Sequence, residues 1–283
     1  MRVVLFLVVI VAVVLSSASA AEQAVKERPL WEIGVFTGAA YLPHYRGSDS
    51  YNSYLLPLPY IVYRGEVVRA NRDGFNGLLW NTERFETAIS FSGSPPVDDD
   101  NHAREGMPEI GAILELGPGA KFYLRDRDSE DRLYFRFGVR AACSLDTDEL
   151  EVEYRGIRGG LQLIYLNRTL GKAQDLEFGI NTGVDFADDN YNGYLYDVDP
   201  TYVTADREAY EAEGGYAGFS IAGNVVKELT PRWSVAAYYR WDNISGAVYA
   251  DSPLVETENN HVVGMAVICG LLEAKRMSRY ESE

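Results

Sequence analysis
The chain has 283 residues, with 42 acidic against 26 basic side chains, and its formal net charge of −16 excludes a nucleic-acid binder that works through a basic face. Hydrophobic residues make up 47% and Tyr alone contributes 20, which excludes a disordered chain. Two Cys are too few for a disulfide scaffold, and three His leave little room for a multi-His metal site.

The first element is a leader. Met1-Arg2 is followed by 13 apolar residues, Val3 to Leu15, and then by Ala18-Ser19-Ala20, a small-x-small cleavage site. Residues 1–20 therefore read as a secretory signal peptide, and the mature chain is expected to begin near Ala21. Residues 21–29 form a short polar segment facing the periplasm. After the leader, the longest nearly apolar stretch is Val262 to Leu272, 11 residues, too short for a membrane helix.

Strands follow. Trp31, Ile33, Val35, Thr37, Ala39 and Tyr41 alternate with Glu32, Gly34, Phe36, Gly38 and Ala40. The same period of two runs through Phe85–Ser92, Leu133–Ala141, Leu176–Phe186 and Trp233–Trp241. Several runs reach 11 or 12 residues, beyond the five or six usual in soluble sheets and close to what a tilted membrane strand needs. Trp31, Tyr41, Phe85, Phe91, Phe186, Trp233, Tyr239 and Trp241 fall near strand ends, where interfacial girdles sit. Connections alternate between long (43–52, 94–107, 188–213, 242–259) and short (around Gly65, Asn81–Arg84, Arg125–Asp131, Arg168–Ala173, Thr230-Pro231). The expected fold is all-β: an antiparallel transmembrane barrel of the outer membrane over 30–272. It has about 12 strands, or 10 if 67–80 is not a hairpin, and a polar tail over 273–283. Pro118 is expected to interrupt its strand.

An ordered set of residues carries a resemblance. Tyr45-Arg46-Gly47-Ser48-Asp49 precedes Leu56-Pro57-Leu58-Pro59-Tyr60-Ile61-Val62-Tyr63-Arg64-Gly65. Further on come Asp185 to Tyr194, then Tyr210 to Gly214-Gly215-Tyr216, Ile244-Ser245-Gly246-Ala247 and Asp251-Ser252-Pro253-Leu254-Val255. In this order they resemble the MipA/OmpV family, the MltA-interacting protein group of Gram-negative bacteria, from about Gly34 to Gly270. The resemblance implies an outer-membrane barrel. It also implies a non-enzymatic scaffold joining a lytic transglycosylase to a peptidoglycan synthase. The family also includes outer-membrane antigens and adhesins. Outer-membrane chains usually end in an aromatic, whereas this one runs through Glu273–Tyr280 and ends at Glu283.

Chemistry-bearing residues are sparse. His261, Asp251 and Ser252 come together at the rim of the last connection, but Asp-Ser-Pro is also a turn former. His44 and His102 sit in loops without an implied Ser or Cys partner. Asp98-Asp99-Asp100 and Asp188-Asp189-Asn190, with Asp197 and Asp199, are acidic enough for Ca²⁺ but lack EF-hand spacing, and a solvated loop touching lipopolysaccharide ions fits better. No catalysis, cofactor or bound metal is expected, and the expected contacts are membrane lipid and lipopolysaccharide. Cys143 and Cys269 should be free thiols at opposite depths. Glu32, Glu86, Glu177 and Asp185 share the lumen face with Arg136, Arg140 and Arg240, and paired charges blocking the lumen are favoured over a narrow wet channel. Tyr-rich 188–216 has two readings: an exposed face that supports the alternative of a surface receptor or adhesin, and tyrosines packing over the barrel mouth.

Overall fold
The computed structural model describes residues 29–64, 69–71, 74–97, 101–127, 129–145, 151–170 and 175–276. The leader, most of the N-terminal segment, Gly65, Asp98–Asp100 and the end of the tail, Met277–Glu283, lie outside these residues. Twelve antiparallel strands form a closed ring in which each strand pairs with its chain neighbours and β1 pairs with β12. They are β1 (Trp31–Pro43), β2 (Tyr51–Arg64), β3 (Arg69–Asn71), β4 (Gly74–Asn81), β5 (Phe85–Ser94), β6 (Ala112–Tyr123), β7 (Asp131–Leu145), β8 (Val152–Leu170), β9 (Leu176–Ala187), β10 (Gly215–Thr230), β11 (Trp233–Asn243) and β12 (Asn259–Glu273).

Side-chain alternation sorts the wall into two surfaces. Every strand except the three-residue β3 carries large apolar side chains exposed on the outside, among them Val35, Leu116, Val139, Ile180, Ile221 and Val267. A band of this kind is incompatible with water and matches hydrocarbon. Two aromatic girdles bound it: Tyr63, Trp80, Phe85, Phe122 and Trp233 at the end with short turns, and Tyr41, Tyr154, Phe186 and Tyr239 at the other. Strand number, strand order and the unequal connections agree with the sequence-based expectation.

Three local features differ from it. Pro118 interrupts only one edge of β6: the ladder with β7 skips Gly117 and Pro118 between Leu116↔Ala141 and Gly119↔Gly138, while the ladder with β5 continues through Ile89↔Pro118. The tail begins one residue later than expected and continues the seam, since Ala274 N donates to Trp31 O (2.9 Å) and Leu30 N to Arg276 O (2.9 Å). The 188–213 connection contains a helix, α1 (Asp189–Tyr196). Asp188 Oδ1 accepts from Tyr191 N at 2.9 Å and caps it.

Candidate functional site: a lid over a charged lumen
The long connections fold together into a lid. Tyr45, Ile110, Tyr191, Leu195, Tyr196, Val198, Ile244, Tyr249 and Leu254 form one buried apolar cluster drawn from four connections. Tyr196 stacks on Tyr249 with ring centroids 3.8 Å apart and 7° between planes. Their hydroxyls do not dangle in the core: Tyr196 donates to Arg46 O and Tyr249 to Ala217 O, each at 2.8 Å. Tyr191 and Tyr196 are buried in this cluster and Tyr194, Tyr202, Tyr210 and Tyr216 pack against it, which matches the second of the two readings of Tyr-rich 188–216. Contacts from distant connections bury the rings.

The positions carrying the family resemblance converge here. Tyr45 donates to Leu254 O (2.8 Å). Gly47, at φ +96°, donates to Asn260 Oδ1 (2.6 Å), while its carbonyl accepts from Glu256 N and Thr257 N. That left-handed backbone is what glycine permits. Ser48 is fully buried and receives a hydrogen bond from Asn101 Nδ2 (3.0 Å), a nitrogen that also lies 3.2 Å from His44 Nδ1. His44 and Ser48 thus share Asn101 as a partner, and Ser48 is sealed from solvent. Tyr210 donates to Val248 O (3.2 Å). Gly215, at φ +151°, passes so close to Val248 that a Cβ would meet its Cγ1 at 2.7 Å. Tyr216 O accepts from Val248 N, and Gly214 lies against the start of α1. Gly246 turns the chain at φ +74°, and Ala247 is buried. Ser252 donates to Tyr196 O (2.8 Å) beside Pro253 and the fully buried Leu254. Pro57, Pro59 and Tyr60 lie apart from this group, in β2.

Asp251, Ser252 and His261 are not assembled for catalysis. Ser252 is buried under Tyr196, while His261 lies outside, its Nδ1 2.9 Å from Tyr239 Oη. The acidic cluster serves the backbone: Asp188 caps α1, Asp199 accepts from Thr201 N (2.8 Å) and Asp197 from Ala212 N (2.7 Å). No group of three or more metal-ligating side chains occurs among the described residues.

Beneath the lid runs an alternating chain of charges. Arg140 Nε reaches Glu115 Oε2 (2.8 Å), and Glu115 Oε1 meets Arg158 Nη1 (3.4 Å) and accepts from Tyr191 Oη (3.0 Å). Arg158 Nη2 meets Asp185 Oδ2 (3.0 Å), which also takes Arg46 Nη1 (2.7 Å). Arg46 Nη2 reaches Asp242 Oδ1 (3.1 Å), and Asp242 Oδ2 takes Arg240 Nε (2.7 Å). The expected Asp185, Arg140 and Arg240 take part. Arg46, Glu115, Arg158 and Asp242 were missed. Arg46 comes from a loop, so no strand periodicity pointed to it. Arg158 follows the bulge at Gly156, which resets its parity.

A separate cluster lies at the other end. Glu86 holds Arg127 (3.2 Å) and Tyr123 Oη (3.0 Å), and Lys121 lies over the Tyr134 ring. Glu177 meets Arg168 at 3.7 Å, and Arg136 is held by Gln162 Oε1. Cys143, near the lid, and Cys269, near the turns, are both free. Among the described residues, one cavity of about 140 Å³ lies under the lid and another of about 270 Å³ lies below the charge chain.

A closed antiparallel barrel with an apolar outer band, two aromatic girdles and a folded lid is an outer-membrane barrel with a charged interior. The chain belongs to the MipA family: the model for "MltA-interacting protein MipA" matches residues 33–268. Outer membrane protein OmpV of Vibrio cholerae serotype O1 is 25% identical over 209 residues, 72% of this chain and 74% of that protein. Outer membrane protein Omp26La of Vibrio anguillarum is 24% identical over the same shares. Among solved structures, neisserial surface protein A is 10% identical over 87% of this chain and all of that one, at a TM-score of 0.25. The CymD monoaromatic hydrocarbon channel is 9% identical over 85% of this chain and 88% of that one, at 0.33. At such scores the likeness carries no weight.

Proposed function
We propose that this chain is a non-catalytic outer-membrane barrel that anchors cell-wall machinery on the periplasmic side. The observation that carries this reading is membership in a family described as MltA-interacting. The partners are then a lytic transglycosylase and, through it, a peptidoglycan synthase. The geometry supports it by what the polar groups are doing. The charged lumen residues pair with one another and Ser252 donates to Tyr196 O, so that none of these residues is held as a nucleophile beside a base. In this reading residues 1–20 are cleaved on export. The turn end and both termini face the periplasm, and the lid faces out among lipopolysaccharide.

The test is photo-crosslinking in intact envelopes. A crosslinker at Pro231, in the β10–β11 turn, is expected to capture a transglycosylase, while one at Asp206, in the lid, is not. Capture at Asp206 alone would sink the scaffold reading.

A further inference from the structure
The cavity under the lid is bordered by both parts of the molecule. Arg240 stands in the wall, on β11, and Asn192 stands in the lid, on α1. Both line the cavity, and among the described residues each keeps polar atoms that no other group engages.

Asn192 is 1% exposed. Its Nδ2 donates to Glu213 O at 2.8 Å, and this fixes the amide, since turned over it would set oxygen against oxygen. Oδ1 is therefore left buried without a donor. Among the described residues, four other buried side-chain polar atoms lack a hydrogen bond: Arg46 Nη1, Asp242 Oδ1, Arg168 Nε and Asp131 Oδ1. All four belong to ion-paired groups, so charge compensates them. Asn192 Oδ1 belongs to a neutral amide and has no such compensation. A buried acceptor in that condition is costly, and it points to a donor from outside the chain.

Arg240 is the complementary case. Tyr239 before it faces out, so Arg240 faces the lumen, where its side chain is 33% exposed. Among the described residues its partner is Asp242, which takes Nε at 2.7 Å and is shared with Arg46. Nη1 and Nη2 remain for a ligand. The surrounding charge is positive: Arg46, Arg158 and Arg240 line the cavity against one carboxylate, Glu115. An anion is therefore favoured beside Arg240. The donor that meets Asn192 is neutral, because an ammonium would be desolvated beside an excess of guanidinium. Size bounds the rest. The cavity measures about 140 Å³, and one of roughly 150 Å³ takes a single benzene, so the occupant has about six non-hydrogen atoms. Ile110, Ile113, Leu195 and Ala217 give it an apolar side.

We propose that the cavity beneath the lid is a binding site for a small hydroxycarboxylic acid. Its carboxylate pairs with the two terminal nitrogens of Arg240, its hydroxyl donates to Asn192 Oδ1, and its short carbon skeleton takes the apolar side. A molecule held by wall and lid at once stabilises the closed lid over the open one.

The test is calorimetric titration of the mature barrel in nanodiscs with four probes that share a three-carbon skeleton: lactate, propionate, alanine and propylene glycol. Lactate is expected to bind saturably. Propionate lacks the hydroxyl and alanine carries an ammonium in its place, and each should bind about tenfold more weakly. Propylene glycol, which lacks the charge, should not bind. Arg240→Gln should weaken lactate by about tenfold or more, and Arg240→Lys should restore most of it. Asn192→Leu should remove the advantage of lactate over propionate. Hydrogen exchange at Tyr191 N–H, in α1, should slow with lactate in the unaltered barrel and not in Arg240→Gln. Should a variant fail to give the heat-modifiable folded form, the probe series and the exchange at Tyr191 on the unaltered barrel decide the matter. Absence of saturable lactate binding, propionate or alanine binding as tightly as lactate, an unchanged affinity in Arg240→Gln, or unchanged exchange in α1 would each overturn the site.

Discussion

At the scale of single residues, the lid depends on groups that belong to two structures at once. Asp185 stands in the barrel wall yet holds Arg46 of the lid and Arg158 of the neighbouring strand. Asp185→Asn leaves two buried guanidiniums without their shared carboxylate. Each keeps another partner, Asp242 or Glu115, so the loss should fall near the low end for a broken buried pair, about 3 kcal/mol. The temperature at which the folded band disappears on an unboiled gel checks this. A second expectation concerns pH. Burial pushes the Tyr45, Tyr196 and Tyr249 hydroxyls above the usual tyrosine range, and that of Tyr191 up to about 12. An exposed tyrosine ionises near pH 10. The closed lid keeps these protons and the open lid releases them. The stability they give is therefore complete below pH 10 and falls as pH rises towards 12, by about 1.4 kcal/mol per pH unit for each ring. Tyrosinate absorbance should rise together with lid opening while the far-UV strand signal persists. Separate transitions for the two would contradict the shared burial.

At the scale of elements, the wall was legible and the lid was not, for one physical reason. A membrane strand writes its two environments into alternate residues, so β1, β7, β9 and β11 could be read from local pattern alone. Even in the weak stretch 67–80, β3 and β4 pair as a hairpin among the described residues. The lid residues have no such period. Tyr191, Tyr196 and Asp197 look like a solvated loop until α1 and its distant neighbours bury the rings. α1 spans eight residues, too few for a helical repeat to show. It is seated on a bulge in the wall: Asp188 N donates to Ile157 O at 3.0 Å, next to Gly156 at φ +109°. Asp188→Ala removes the N-cap and should lower lid stability by about 1 kcal/mol. Hydrogen exchange is expected to rise at Tyr191 N–H and stay unchanged in β12. Gly156→Ala should do more damage, since its Cβ would fall 2.6 Å from Tyr191 N in a backbone conformation that alanine resists.

At the scale of the whole molecule, the lid cluster and charge chain lie at one end of the lumen and the Glu86 cluster at the other. Planar-bilayer recordings should show little steady conductance at neutral pH, and a large steady current would defeat an occluded barrel. Above pH 10 the lid side should loosen, because Tyr45, Tyr191, Tyr196 and Tyr249 are buried there.

The hydrogen bonds of Tyr45 to Leu254 and of Gly47 to Asn260 span 209 and 213 positions of chain. They tie the first hairpin to the last across the β1–β12 seam. Contacts of such separation form late, after the chain between them has been ordered. A nascent molecule therefore cannot cap itself before its final hairpin arrives. Completion of the wall and sealing of its mouth become a single event, and any intermediate arrested with an unzipped seam would present an uncapped interior to the cell.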